Sequence, residues 1–133
     1  MVFPRDPVGQ DTRPRLLIID DEDALLVPAS HYLRERGYAV VTAREPEEAL
    51  ALLDRQSFDL VILDLALTPF GREGLEILSW IRARHPAMPV IILSAEIPPE
   101  VEQEAERLGA DAILGKPQPM SEVARLAASF LTR

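Results

Sequence analysis

Apolar and polar positions along this chain alternate between two rhythms. Short unbroken apolar runs, Leu16-Leu17-Ile18-Ile19, Leu60-Val61-Ile62-Leu63 and Val90-Ile91-Ile92-Leu93, read as strands buried on both faces. Between them lie longer stretches with helical spacing, such as the Leu75, Leu78 and Ile81 stripe. The pattern predicts strands over residues 16–20, 39–43, 60–64, 90–94 and 112–114. Helices are predicted over about 23–36, 46–55, 75–84, 99–108 and 120–131. Gly37 and Gly109 stand where helices one and four should stop, and Pro46 stands in the first turn of helix two. One local conflict is Pro28, well inside helix one, which should kink that helix or delay its start.

Five strand–helix units joined by short loops specify an α/β fold, a parallel sheet with helices on both faces. Right-handed crossovers leave few topologies, and the flavodoxin-like doubly wound (βα)5 order 2-1-3-4-5 fits best. That order sets strands one and three side by side, with the ligand crevice at their carboxyl ends. Residues 1–14 carry three prolines and no periodicity, so they read as a flexible arm ahead of a domain over 15–133.

The candidate chemistry sits at those strand ends. Asp20 and Asp21 follow the first run, and Asp64 follows the run Leu60-Val61-Ile62-Leu63. Lys116 follows Ala112-Ile113-Leu114 and Gly115, and it is the only lysine among 14 basic residues. Packed carboxylates repel by roughly 4 kcal/mol at 4 Å in an effective dielectric near 20. Hard divalent cations relieve that repulsion, and Mg2+ takes carboxylates together with waters and phosphate oxygens. The cluster therefore reads as an incomplete magnesium site awaiting a phosphoryl group. The plainer alternative is that Asp21 or Asp23 caps helix one and the others start turns.

Composition narrows the field. With 133 residues and 47% apolar content, one domain with a full core is expected. The absence of cysteine excludes disulfides and thiolate metal sites. A net charge of −8 with no basic run argues against nucleic-acid binding by this domain. No apolar stretch has signal-peptide or membrane-span length, so a soluble cytoplasmic protein is expected.

With these residues in place, the chain resembles a receiver domain of bacterial two-component response regulators. The matching segments are Leu17-Ile18-Ile19-Asp20-Asp21-Glu22, Asp59 through Leu65, Ile92-Leu93-Ser94-Ala95, and Leu108 through Pro117. The resemblance implies that Asp64 is the phosphoacceptor, with Asp20, Asp21, Asp64 and the Ala66 carbonyl organising Mg2+. It implies that Ser94 contacts the phosphoryl group and that Lys116 pairs with the acceptor or its phosphate. Pro117 then marks a cis peptide, physically plausible only before proline. The implied partners are a sensor histidine kinase or phosphotransfer protein and a downstream protein, with no membrane and no nucleic acid. Positions two after the acceptor and two after the hydroxyl, here Ala66 and Glu96, tune hydrolysis in such domains.

Two departures stand out. The loop after the acceptor is longer than the usual pattern, with Pro69 five residues on and Gly74 ten on, through Thr68-Pro69-Phe70-Gly71-Arg72-Glu73. The switch position on strand five, usually Tyr or Phe, is Ile113. That leaves Ser94 and Ile113 as the switch pair without its aromatic half, and keeps a constitutive pseudo-receiver as an alternative. An aspartate-nucleophile phosphatase would carry a second acid two residues after the nucleophile, where this chain has Ala66. A flavodoxin-like cofactor binder needs a first loop rich in Gly, Ser or Thr, not Asp20-Asp21-Glu22-Asp23. His31 and His85 read as isolated surface or satisfied residues, Trp80 as flanking the core, and Glu47-Glu48 and Glu102/Glu104/Glu106 as solvated faces. The chain reads as a module with no output domain of its own, acting through contacts alone or excised from a larger protein, and the Met1 start and proline-rich arm slightly favour an N-terminal position or a complete small protein.

Overall fold

The structure is a computed structural model that describes residues 12–65 and 72–132. Five strands, β1 (Arg15–Ile19), β2 (Ala39–Ala43), β3 (Leu60–Leu63), β4 (Val90–Ser94) and β5 (Ala112–Gly115), alternate with five helices. These are α1 (Asp23–Glu35), α2 (Pro46–Arg55), α3 (Arg72–Arg84), α4 (Pro99–Arg107) and α5 (Met120–Leu131). All strand pairs are parallel and the order is β2-β1-β3-β4-β5, as the sequence predicts.

The apolar runs are continuous because the three central strands bury both faces. Leu16, Ile18, Leu60, Ile62, Ile91 and Leu93 pack under α1 and α5, with Leu26, Leu33, Val123 and Ala127. The alternate residues Leu17, Ile19, Val61, Leu63, Val90 and Ile92 pack under α2, α3 and α4, with Leu53, Ile77, Leu78, Ile81 and Ala105. A side chain changes face with each residue along a strand, so a one-residue slip would exchange the two cores.

Several boundaries differ from expectation by a residue, and one by three. β1 and β3 stop one residue earlier, so Asp20 and Asp64 lie just beyond the strands. β5 extends to Gly115. Helix α3 starts at Arg72 instead of residue 75. Tertiary packing accounts for that start: a Cβ at Gly74 would lie 2.5 Å from the Leu65 Cα and 2.8 Å from its carbonyl oxygen. Only glycine lets the first turn of α3 press on the backbone of the residue after Asp64. Pro28 does not delay α1, which begins at Asp23 and runs through it with the proline on the exposed face. Gly37 and Gly109 have φ of +99° and +97°, the left-handed conformation of a helix stop.

Candidate functional site: an acidic cluster around the single lysine

The register builds the site. Ile19 pairs with Leu63, so Asp20 and Asp64 follow side by side, and the Asp64 N–H donates to the Ile19 carbonyl at 2.9 Å. Ser94 ends β4 opposite Gly115, and the Lys116 N–H donates to the Ser94 carbonyl at 3.0 Å. The Lys116–Pro117 peptide is cis, as expected. Residues far apart in sequence thus converge on one sheet edge for purely topological reasons.

Asp64 is 5% exposed, and its two carboxylate oxygens meet different partners. The Ser94 hydroxyl, fully buried, donates to Oδ1 at 2.5 Å. The Lys116 ammonium reaches Oδ2 at 3.3 Å. That ammonium lies closer to Asp20 Oδ2, at 2.7 Å, and to Glu22 Oε1, at 3.0 Å. The other Asp20 oxygen accepts the Glu22 backbone N–H at 2.9 Å. Asp20 is 2% exposed. Its carboxyl is pushed above the ordinary value, mainly by burial and further by the Asp64 charge, against the hydrogen bonds from Lys116 and the Glu22 backbone. For Lys116 burial is the largest influence and acts downward. The hydrogen bonds to Asp20 and Glu22 and the Asp64 and Asp20 charges together outweigh it, so the amine is raised above its usual range.

One carboxylate oxygen from each of Asp20, Asp21 and Asp64 lies within 4.8 Å of the other two, with two of the residues buried and Asp21 exposed. The donor set is all oxygen, which suits a hard divalent cation. The helix-cap alternative does not describe the site. The residue before α1 is Glu22, no side chain caps the helix there, and Asp23 pairs instead with Arg44.

Most of the remaining candidates are also placed. Ile113 is half-buried on β5, paired with Ile92 and packed on the α2–α4 side of the core. Glu96 is exposed, with φ +43°, in the turn after β4. The Ala66 carbonyl and the segment from Thr68 to Gly71 of the long loop fall outside the described residues. Trp80 does flank the core, with the Arg84 guanidinium 4.3 Å from its ring centroid. His31 is exposed beside Glu35. Glu22 is the site residue that sequence reading gave no role. Its only signal was its position directly after the acid pair, where an exposed glutamate looks like ordinary helix surface.

The profile of the response regulator receiver domain matches residues 16–128. The chain belongs to the response regulator receiver domain family. It is 40% identical over 116 residues to the alginate biosynthesis transcriptional regulatory protein AlgB of Pseudomonas aeruginosa, covering 86% of this chain and 25% of that protein. It is 32% identical over 118 residues to the probable transcriptional regulatory protein TcrX of Mycobacterium tuberculosis, covering 89% of this chain and 50% of that protein. The receiver thus spans a quarter to a half of the length of these relatives. Among solved structures, the CheY-like receiver domain protein from Methanospirillum hungatei JF-1 superposes with a TM-score of 0.86 at 28% identity, covering 91% of this chain and 95% of that one. The receiver is therefore a module of two-component signalling. No helix among its described residues is long and apolar enough to cross a membrane.

Proposed function

We propose that this receiver accepts a phosphoryl group on Asp64 from a phosphohistidine of a sensor histidine kinase or phosphotransfer protein, and thereby changes its contacts with a downstream protein. The observation that carries the reading is the division of labour at one carboxylate: a buried hydroxyl on Oδ1, the only lysine on Oδ2, and two further acids within 4.8 Å. An Asp64 oxygen attacks phosphorus, the P–O bond of an acyl phosphate forms, and the P–N bond to the imidazole breaks. The electron pair leaves on the imidazole nitrogen, which takes its proton from solvent.

Asp20, Asp21 and Asp64, with the Ala66 carbonyl, would hold Mg2+, whose charge neutralises phosphoryl oxygens and aligns them with the acceptor. Lys116 supplies a compact cation between Asp20 and Asp64, within reach of the acceptor carboxylate. Ser94 is already bound to the acceptor and can exchange that carboxylate oxygen for a phosphoryl oxygen without leaving its buried place. Ile113 is β-branched, apolar and packed, so it has few alternative rotamers and stays in position. The signal then passes through the loops after β3 and β4 instead of through a rotating ring. The domain works in the cytoplasm and does not itself bind nucleic acid, consistent with a charge of −8.

The test is incubation with acetyl phosphate and Mg2+ followed by intact mass and peptide mapping. One phosphoryl group per chain on Asp64, absent with chelator, is the expected result. A constitutive pseudo-receiver would stay unmodified, and a phosphate mapped to another residue would remove Asp64 as acceptor.

A further inference from the structure

An ammonium group has three protons, and the described acceptors of Lys116 are three carboxylates: Asp20, Glu22 and Asp64. Two of the three also belong to the oxygen cluster suited to a divalent cation, and Glu22 does not. A cation entering that cluster competes with the ammonium for Asp20 and Asp64, and takes from Lys116 its shortest contact, at 2.7 Å. The Lys116 side chain is only 12% exposed. An amine so covered is costly to leave without an acceptor. Glu22 is different: its side chain is 59% exposed, its Oε1 stands 3.0 Å from Nζ, and no hydrogen bond or ion pair to another described residue holds it. Its position is fixed by its own backbone N–H, bound to Asp20 Oδ1, and by its place just ahead of α1.

We infer that Glu22 is a positioning residue for Lys116: it keeps an acceptor on the ammonium when Asp20 and Asp64 turn to a divalent cation. Lys116 thereby stays beside Asp64 while the cluster changes partners. The inference rests on the proposed role of Asp20, Asp21 and Asp64 as the cation site. It assigns to Glu22 a task that neither a cation ligand nor a solvated helix-face charge would perform.

The single lysine makes the test unusually clean, because protein labelled with 15N-lysine in a lysine-free vector context gives one side-chain ammonium signal. In the wild type that signal should persist through a Mg2+ titration, protected by Glu22. In Glu22→Gln it should be present in EDTA and lost to water exchange as Mg2+ binds, and the Mg2+ Kd should rise about fivefold, the loss expected for one partly exposed charged contact. Because Glu22 is exposed, the substitution should leave the fold intact, which an unchanged far-ultraviolet circular dichroism spectrum in EDTA verifies.

In a Lys116→Met background, Glu22→Gln should change the Mg2+ Kd by less than about 1.5-fold, because no ammonium remains to be positioned. An equal weakening in both backgrounds would make Glu22 a bulk charge and overturn the inference. A lysine signal that responds to Mg2+ identically in wild type and Glu22→Gln overturns it too, while phosphorylation of Asp64 in those samples would leave the proposed function standing. Wild-type protein with no Mg2+ response at all would overturn both.

Discussion

Aspartates occupy both ends of this sheet, and the two sets live under opposite conditions. At the amino end, Asp59 precedes β3 and its Oδ2 accepts the Arg15 backbone N–H at 2.8 Å, while its own N–H donates to the Arg15 carbonyl at 2.8 Å. Asp111 precedes β5 and repeats the device with Val90, at 2.8 and 2.9 Å. Its Oδ2 also takes Arg82 Nη2 at 2.7 Å, and the rest of that guanidinium is spent on the Gly109, Met88 and His85 carbonyls. Each of these acids adds one rung to a parallel ladder and has donors matched to it. At the carboxyl end, two buried acids, Asp20 and Asp64, share one ammonium with Glu22, and Asp21 adds a further charge. Residue type is the same at both ends; crowding separates them, since each amino-end acid stands in its own ladder while the carboxyl-end acids gather their charges around a single ammonium.

The sharpest way to break this comparison is to move the same substitution between the ends. Asp64→Asn should lower phosphoryl uptake from acetyl phosphate by at least about 100-fold, since an amide is no nucleophile. Asp111→Asn should leave uptake within about threefold of wild type, because it touches no part of the site. Initial rates by intact mass decide the matter, and comparable losses for the two variants would erase the distinction.

Stability should respond in the reverse sense. Asp111→Ala deprives Arg82 and the Val90 N–H of one acceptor oxygen, with side chains 18% and 31% exposed in the ion pair. The expected cost is about 2 kcal/mol, the range for a hydrogen-bonded charge discounted for solvent. Urea denaturation should show it as a lower midpoint at unchanged slope. A loss under about 0.5 kcal/mol would reduce the amino-end aspartates to surface decoration.

Proton linkage gives a smaller effect with a definite sign. The folded Asp20 carboxyl sits above its ordinary 3.8, so the native state binds more protons than the unfolded chain just above that pH. Stability contributed by this group is therefore greatest below 3.8 and falls as pH rises through the raised value. Lys116, raised above 10.5, contributes stability that is complete below that value and is lost only as alkaline pH passes its folded value. Relative to Asp20→Asn, the wild type should lose stability on going from pH 3.5 toward neutrality. A wild-type curve rising relative to the variant over that interval would show the carboxylate to be stabilised, not strained, by its surroundings.

Much of this architecture is legible in the chain because the central strands bury both faces. Leu16–Ile19, Leu60–Leu63 and Val90–Leu93 leave no polar residue inside the run, so the aspartates that end two of them are conspicuous. The solitary Lys116 among arginines is equally visible. What escaped the sequence depends on contacts between distant segments. The start of α3 at Arg72 lacks apolar periodicity and is fixed by the approach of Gly74 to Leu65. Arg82 reads as one surface arginine of many until the fold brings Gly109, Met88 and Asp111 around it. The order of Lys116 contacts, Asp20 before Glu22 before Asp64, is likewise a matter of fractions of an ångström.

Asp21 offers the most direct test that the carboxyl end holds its charges for a cation. It is the exposed member of the trio, so replacing it disturbs packing least, and Asn preserves its shape. A melt of wild type and Asp21→Asn in EDTA and in millimolar Mg2+ makes the measurement. The account predicts that Asp21→Asn is more stable than wild type in EDTA by about 1 kcal/mol, because repulsion is relieved. It predicts also that Mg2+ raises the wild-type Tm and leaves the variant nearly unmoved, because a ligand stabilises only the state that binds it. A variant that melts below wild type in EDTA, and still gains stability from Mg2+, would contradict it.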